Sequence, residues 1–329
     1  MTTADNTGAA TSSPEIQRVA SPGSHAAPSA SETGGVRGFR VAGRMLRVAQ
    51  CEGDGFVFVT NPEQAIRHLR SAGPRADILA FLQALPDSTP RFPYPFDMDN
   101  FAALRVTTFD DWWERGIGFK ARNKFRQAEK KGIEISEIPF DDAAARGIWE
   151  IYNETPVRQG RRFPHYGKDL ETVRRMSATF PDLSIFIGAF FEGRMIGFIK
   201  LVANQAGTQA GLMHILSLEA HREKAPTNGL LAHAVRACAH RGIGYLTYAS
   251  FAYGNKERSS LSDFKQRCGF QRMDVPRYYV PLTRWGAIAY RLGLHHGLKD
   301  RLPESIAGRL RDARSAWYRR KYGAGAAIG

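Results

Sequence analysis

A short segment at residues 158–167 concentrates side chains that bind anions. It carries Arg158, Arg161 and Arg162, followed by Tyr166. Guanidinium groups present several N–H donors in a planar geometry that suits carboxylates and phosphates, and a phenol adds a further hydrogen bond. We therefore expect this segment to be a loop that contacts an anionic ligand. The alternative is that these arginines only keep a surface loop solvated.

Further candidates lie on regular elements in the second half of the chain. Residues 244–250 predict a strand, on which Tyr245 and Tyr248 point to opposite faces. We prefer Tyr248 as the functional side chain because it is nearer the carboxyl end of the strand, where α/β proteins gather their sites. His214 alternates with Met213 along another strand, and we interpret it as a hydrogen-bonded structural histidine.

The composition limits the classes to which the protein can belong. The chain has 329 residues, 43% of them apolar, which suffices for a buried core in one large domain or two ordinary ones. No stretch approaches about 20 uninterrupted apolar residues, so we expect no transmembrane helix. Cys51, Cys238 and Cys268 include no C-x-x-C pair. We therefore predict neither a disulfide scaffold nor a metal site, and we expect a reducing, cytoplasmic location.

Positive charge is concentrated at the C-terminal end. Lys and Arg outnumber Asp and Glu by 46 to 32, a formal net charge of +14, which indicates an anionic partner such as nucleic acid, a phosphorylated ligand or a membrane surface. Residues 284–329 hold ten basic residues against three acidic ones. We expect the apolar face of an amphipathic helix there to dock on the protein itself; attachment to anionic lipid at the inner face of the membrane, or to tRNA, is the alternative. That face comprises Ile306, Leu310, Ala313 and Trp317.

Composition and pattern divide the chain into four regions. The first is rich in Ser, Thr, Gly, Ala and Pro and predicts a disordered tail that lacks the apolar segment of a signal peptide. A small α/β accessory region, a main domain and the basic helical tail follow it. The predicted bounds of the four regions are 1–36, 37–108, 109–283 and 284–329.

Hydrophobic periodicity predicts alternating strands and helices between the two tails. The glycine-rich segment 52–55 favours a hairpin between strands at residues 44–50 and 56–60. A long basic helix over residues 110–131 then leads into the order β-α-α-β-β-β-α-β-α-β-β. The strands of that order are predicted at 133–138, 183–190, 195–202, 209–217, 244–250, 270–273 and 278–282, and its helices begin near residues 141, 169, 227 and 259.

Residues 133–282 resemble the GNAT acyltransferase superfamily in this element order and in the stretch Asp-Phe-Lys-Gln-Arg-Cys-Gly-Phe that ends at Phe270. The basic helix through residues 120–132 is similar to one that enters a catalytic domain of Fem-type peptidyltransferases, and so is the pair Phe264-Lys265 before Gly269-Phe270. The resemblance covers roughly half the chain. It implies an α/β fold with a GNAT-like mixed, mostly antiparallel sheet flanked by helices.

The resemblance also implies where an acyl donor binds. The strand at 209–217 is expected to splay from the strand at 244–250, so that the donor pairs with exposed backbone and a backbone N–H stabilises the oxyanion. Phosphates of the carrier would lie at the N-terminus of the helix over 227–240. The donor-binding residues that the resemblance implies are Leu216, Ser217, Leu218, Arg222, Lys224, Asn228, Gly229 and Leu230.

Catalytic and acceptor-binding residues follow from the same resemblance. Glu219 comes just after the splayed strand and is the candidate general base, although a plain loop carboxylate is the alternative. Many GNAT enzymes carry a tyrosine acid where Phe264 stands here, so that role falls to Lys265 or Tyr248; the alternative for Lys265 is a solvated helix lysine. The implied acceptor-binding residues are Tyr152, Arg158, Arg161, Arg162 and Tyr166.

The implied activity is transfer of an acyl group from a thioester carrier, acyl-CoA or acyl carrier protein, to an acceptor amine, without a tightly bound cofactor. The loop over 221–229 has one glycine where the superfamily has two or three, and Phe264 cannot donate a proton. These departures keep two alternatives open. One is a Fem-like transferase that uses aminoacyl-tRNA on a cell-envelope precursor. The other is a catalytically silent protein that binds a membrane surface or nucleic acid.

Binding of the full chain to tRNA or to anionic vesicles through the basic tail should weaken steeply with salt, because counterion release drives such binding. For about six phosphate contacts on a nucleic acid, we expect affinity to fall about a thousandfold between roughly 50 and 200 mM salt. The measurement is a titration at several salt concentrations. Affinity that does not change with salt would contradict electrostatic attachment.

Overall fold

A computed structural model describes residues 35–36, 38–158, 161–252 and 260–296. Most of the two predicted tails therefore lies outside the described residues, including the amphipathic helix expected after Pro303. Within the described ranges no helix is both long enough and apolar enough to cross a bilayer.

Ten strands form one sheet, in the order β1-β2-β3-β12-β4-β11-β10-β9-β8-β5. Neighbours pair antiparallel except β2 with β3 and β10 with β11. The predicted fold class, a mixed and mostly antiparallel sheet flanked by helices, is confirmed. The strands are β1 (Phe39–Ala42), β2 (Val48–Cys51), β3 (Ile78–Leu82), β4 (Phe96–Arg105), β5 (Glu134–Ile138), β8 (Ser184–Phe191), β9 (Arg194–Ala203), β10 (Gln209–Ser217), β11 (Tyr245–Ser250) and β12 (Gln271–Pro281), with β6 (Val157–Arg158) and β7 (Arg161–Arg162) forming a separate ribbon.

Side-chain caps fix where several helices begin. The residue before each of five helices accepts a hydrogen bond from the backbone N–H three residues later, which satisfies a donor that the helix leaves unpaired. These caps are Asn61, Thr108, Asp141, Asp169 and Thr283. The helices are α1 (Pro62–Ser71), α2 (Phe109–Asp111), α3 (Phe119–Lys130), α4 (Asp142–Tyr152), α5 (Leu170–Ser177), α6 (Pro226–His240), α7 (Ser260–Arg267) and α8 (Arg284–Arg291).

Three sequence-based expectations are wrong in detail. The hairpin does not form: β2 pairs antiparallel with β1 and parallel with β3, while residues 56–60 form no strand. The basic helix is interrupted by a π turn, Trp112–Gly116, which the Trp112 indole anchors by donating to the Cys268 carbonyl at 3.0 Å. The last two predicted strands are one strand, β12, because it pairs with β4 and β3 along its whole length.

Strands of the predicted accessory region and of the predicted main domain share the sheet. β4 lies between β11 and β12, although its sequence is 140 residues away from β11. Its register with β11 pairs Ala103 with Thr247, and its register with β12 pairs Phe101 with Met273. The sheet is therefore continuous across the predicted boundary at residues 108–109.

Helices cover both faces of the sheet around β9. Gly197 faces α6, since a Cβ there would lie 3.1 Å from Leu230. The next residue, Phe198, points the other way and packs against Tyr152 at the end of α4, with ring centroids 5.8 Å apart. The α4 face and the α6 face are the two sides on which a site next to β10 can be built.

Replacing Gly211 by alanine should destabilise the protein, because the added Cβ would lie 2.3 Å from Phe56 Cδ1 on the α4 face. We expect the free energy of unfolding, measured by urea denaturation, to fall by about 1–3 kcal/mol. Gly244→Ala is the matched control, since its Cβ would lie 3.7 Å from the nearest atom, the Thr208 carbonyl oxygen. Equal stability of the two variants would contradict the packing of Phe56 on β10.

Candidate functional site

The parallel pairing of β10 with β11 stops after three residue pairs, from Gln209–Tyr245 to Gly211–Thr247. Beyond that point β10 has a bulge and continues along β9 to Ser217. β11 is also irregular there: Ala249 has a positive φ of 48°, and pairing with β4 resumes only at Ser250. The two strands thus separate as expected from the resemblance, and we call the opening between residues 213–217 and 248–250 the fork.

Buried cations hold the last carbonyl of each fork strand. Arg158 Nη1 donates to the Ser217 carbonyl at 2.8 Å, and Lys265 Nζ donates to the Ser250 carbonyl at 2.7 Å. An unpaired carbonyl away from water is costly, so these contacts stabilise the separated strands. The backbone of the fork is therefore kept open by side chains from two other parts of the chain.

Glu154 ties α4 to the chain that follows β10. Its carboxylate accepts from the backbone N–H groups of Glu219 and Ala220, at 2.8 and 3.0 Å, and from Arg158 Nη2 at 2.9 Å. Arg158 also donates to the Ile151 carbonyl. Both terminal nitrogens of Arg158 thus donate to protein groups, while its Nε is buried without a hydrogen-bond partner among the described residues and its side chain is 12% exposed. The predicted role of Arg158 in acceptor binding stays a prediction.

The loop before α6 offers few donors for a phosphate. Residues 219–224 form a 3-10 turn, Ala225 takes a left-handed conformation with φ 57°, and Pro226, the first residue of α6, has no N–H. The N–H groups of Asn228 and Gly229 donate back to the Ala225 carbonyl. The predicted role of this helix start in binding phosphates stays a prediction.

Four predicted donor-binding residues have other roles. A Cβ on Gly229 would lie 2.4 Å from Ile135 and 2.9 Å from Ala128, so this glycine allows α3 and β5 to pack closely on α6. Leu230 is fully buried in the core, and Leu218 is buried with its N–H bonded to the Ile196 carbonyl. Lys224 Nζ lies over the Phe191 ring at 4.4 Å and pairs with Glu223.

Other predicted residues border the fork. Leu216 and Ser217 are half-buried on β10, where the Ser217 hydroxyl lies 3.1 Å from that of Thr227. Glu219 and Arg222 are exposed in the loop that follows. The roles predicted for these residues and for Asn228 stay predictions, as do those of Arg161, Arg162 and Tyr166, which lie exposed on the acceptor loop.

A cluster of aromatic rings, which we call the histidine cluster, lies on the α4 side of β10. It comprises Tyr152, Phe163, His165, Phe198 and His214. The Tyr152 ring stacks on His165 with centroids 4.4 Å apart, and His165 meets the His214 ring edge-on at 5.7 Å. The Nδ1 atom of His165 is buried and has no hydrogen-bond partner among the described residues. The histidine cluster therefore places two imidazoles beside the point where β10 leaves β11.

Burial keeps both imidazoles neutral at pH 7. It lowers the pKa of His214 to about 4, with smaller effects from His165 and Lys200. It also lowers the pKa of His165, to which the Lys168 charge contributes, and it raises the pKa of Tyr152 above its ordinary range. A neutral imidazole can accept a proton, so His214 is unprotonated as a general base must be, although a pKa of about 4 makes it a weaker base than an ordinary histidine.

Lys200 neighbours His214 in the strand register and is fully buried. Its ammonium donates to the carbonyl oxygens of Ser177 and Thr179 and to the Thr179 hydroxyl. Burial lowers its pKa to about 8. All three donors of this ammonium are used, so Lys200 serves to attach the end of α5 to β9.

The predicted pair Tyr248 and Lys265 meets on the α6 side of the fork. Lys265 Nζ lies 4.5 Å from the centre of the Tyr248 ring, and burial lowers the pKa of Lys265 to about 8. Sequence reasoning named these two residues as alternatives for one role, and the structure brings them into contact. Sequence reasoning also interpreted His214 as a structural histidine and did not name His165, whose available signal was its position within the acceptor loop.

Comparison with known proteins bears on the fold. No family model matches the chain, and no curated protein matches it. A solved C-terminal DUF2156 domain assigned to a lysylphosphatidylglycerol synthetase of Agrobacterium fabrum matches 77% of this chain and 82% of its own, at 12% identity and a TM-score of 0.51. The chain has a GNAT-like fold. L-PGS from Bacillus licheniformis matches 75% of this chain and 81% of its own, at 12% identity and a TM-score of 0.50. FemX matches 72% of this chain and 72% of its own, at 12% identity and a TM-score of 0.47.

Acid should destabilise the protein through His214. Unfolded, this histidine gains a proton near its ordinary pKa of 6.5, whereas in the folded chain it does so only near pH 4. The contribution of the neutral His214 to the free energy of unfolding is complete above pH 6.5 and is lost as the pH falls toward 4. Between pH 6.5 and pH 4, the free energy of unfolding measured by urea denaturation should fall by about 1–3 kcal/mol less in His214→Asn than in the parent protein.

His240→Asn is the control for this measurement, because His240 is an exposed histidine at the end of α6. It should leave the pH dependence as in the parent protein. An equal pH dependence in all three proteins would contradict the burial of a neutral His214.

Proposed function

We propose that the protein transfers an acyl group from a carrier to an acceptor amine by direct attack. The observation that carries this proposal is the fork in β10 and β11 with a neutral histidine, His214, on its α4 side. The fork provides backbone groups with which an extended acyl donor can pair, and the histidine provides a base. The GNAT-like fold supports the proposal because acyl transfer at such a fork is what the resemblance implies.

In the proposed step the amine nitrogen attacks the acyl carbonyl carbon and displaces the sulfur or oxygen of the carrier. A nitrogen–carbon bond forms, the bond from carbon to the carrier breaks, and the proton lost by the amine passes to His214. A backbone N–H of residues 213–217 stabilises the oxyanion in the transition state. Lys265, whose pKa is lowered to about 8, is the candidate on the other side of the fork to protonate the leaving group.

The acceptor would enter between α4 and β10, past the loop that carries Arg161, Arg162 and Tyr166. These side chains are exposed, whereas Tyr152 and Phe163 behind them are buried. An acceptor with an anionic part and an amine fits this arrangement of exposed arginines in front of buried aromatic rings, because the guanidinium groups would hold the anion while the amine reaches His214. Membrane attachment through the basic tail remains a prediction.

Two donor classes remain, acyl thioesters and aminoacyl-tRNA. The loop before α6 favours aminoacyl-tRNA as a second candidate. Glu154 occupies the N–H groups of Glu219 and Ala220, and Pro226 removes a further donor, so the pyrophosphate of coenzyme A finds few partners. The basic helix α3 lies next to this loop, with Gln127 donating to the Glu223 carbonyl at 2.6 Å. Such a surface suits a large polyanion.

Replacing His214 by glutamine should lower kcat by about 10²–10⁴-fold, because the base for the amine proton is lost while the side chain keeps its approximate size. The substrate KM should change little. Initial rates with an amine acceptor give both constants, and His240→Gln is the control on the same chain. A kcat unchanged in His214→Gln would contradict the proposed base.

The donor classes can be separated by thermal melting of the full chain with acyl-CoA, with acylated carrier protein and with aminoacyl-tRNA. A shift with only one of them identifies the donor, since only a ligand that binds the folded state raises the melting temperature. Stabilisation by tRNA whether or not it is aminoacylated, without transfer to any amine, would instead support a silent nucleic-acid-binding protein. Absence of any shift and of any transfer contradicts the proposed activity.

A further inference from the structure

Two histidines and an aspartate converge on the far side of β4 from the fork. Asp97 lies near the start of β4, and His295 and His296 form the end of the 3-10 turn after α8. Asp97 precedes Phe101, the residue that pairs with Ser250 at the fork, by four positions, or about 13 Å along the strand. This cluster is thus separate from the proposed transfer site.

The spacing of the donor atoms suits a metal ion. The Nε2 atoms of His295 and His296 lie 3.1 and 3.6 Å from Oδ2 of Asp97, and one ligand atom from each residue falls within 4.8 Å of the others. Zinc–nitrogen and zinc–oxygen bonds of about 2.0–2.1 Å at a tetrahedral angle place neighbouring ligand atoms about 3.3 Å apart. The donor atoms therefore need little movement to coordinate one ion.

The two imidazoles are held in an unusual arrangement. Consecutive residues of a 3-10 turn point about 120° apart, yet the rings of His295 and His296 have centroids 4.0 Å apart and meet the same carboxylate. The His295 side chain is only 3% exposed, and its ring stacks on Tyr290 at 4.5 Å and also contacts Tyr279. Packing thus fixes the direction of one imidazole before any ion binds.

The arginine next to the cluster pairs with carboxylates other than that of Asp97. Arg277 on β12 binds Asp54 and Asp99, at 2.6 and 2.9 Å. Among the described residues, the ion-pair partners of Asp97 are His295 and His296. A carboxylate that faces two imidazoles, and that pairs with no lysine or arginine of the described ranges, is a donor set typical of sites for divalent transition metals.

We infer that Asp97, His295 and His296 bind a divalent transition metal ion, with Zn²⁺ as the ion to test. Three protein ligands leave a fourth position for water in a tetrahedral site. Bound there, the ion joins the turn after α8 to the start of β4 and so stabilises the end of the described chain against the sheet. The inference is independent of the proposed acyl transfer.

The test uses the full chain without an affinity tag, freed of metal by a chelator. Calorimetric titration with Zn²⁺ should give one ion per chain, and Zn²⁺ should raise the melting temperature. Co²⁺ in the same protein should give the strong visible absorption of a tetrahedral site. In Asp97→Asn and in His296→Ala we expect Zn²⁺ affinity to fall about tenfold or more, together with loss of the Co²⁺ spectrum.

His296 is the informative position because its side chain is 47% exposed, so its replacement should leave the fold intact. His240→Ala, which removes an exposed histidine elsewhere, is the matched control and should bind Zn²⁺ as the parent does. The inference is overturned if the parent chain binds no stoichiometric Zn²⁺. It is equally overturned if His296→Ala and Asp97→Asn, both folded by circular dichroism, bind Zn²⁺ as tightly as the parent.

Discussion

The separation of β10 from β11 after three residue pairs is the constraint on which the rest of the structure depends. Two strands that part inside a sheet leave backbone N–H and C=O groups without partners, and the protein must satisfy them or present them to a ligand. Arg158 and Lys265 donate to the last carbonyl of each strand, and Glu154 accepts from the N–H groups of Glu219 and Ala220 after β10. The remaining backbone between these anchors is what a donor can use.

The same constraint explains the charges buried around the fork. Arg158 and Glu154 compensate each other while each also binds backbone, which is the condition under which a buried ion pair is tolerated. Lys265 has a carbonyl and an aromatic face as partners for its ammonium, whereas burial lowers its pKa to about 8. Arg158 and Lys265, which in the sequence look available to bind ligands, thus bind backbone carbonyl groups and stabilise the shape of the site.

Local signals predicted much of the fold. The periodic apolar residues of β8, β9, β10 and α6 and the glycines that end α6 and α7 gave elements within a few positions of those observed. The failures are non-local. The glycines at 52–55 favoured a hairpin with the residues that follow, but the antiparallel partner of β2 is β1. Nothing local to β4 indicates that this strand inserts beside β11. Periodicity describes which face of a strand is buried but carries no information about which strand lies next to it.

The site was predicted less well, for a related reason. The resemblance located the fork, and it brought Tyr248 and Lys265 together, but Arg158, Gly229 and Leu230 serve packing that only the folded chain reveals. A histidine on a strand carries no sequence mark of a neutral base, because the pKa of His214 depends on burial by α4 and the acceptor loop.

Binding of the acyl donor in the fork is tested most directly by a crystal structure with a non-hydrolysable donor analogue. The acyl arm should lie between β10 and β11, hydrogen-bonded to backbone of residues 213–217, with its carbonyl carbon facing His214. An analogue bound elsewhere, with the fork backbone untouched, would contradict donor binding in the fork.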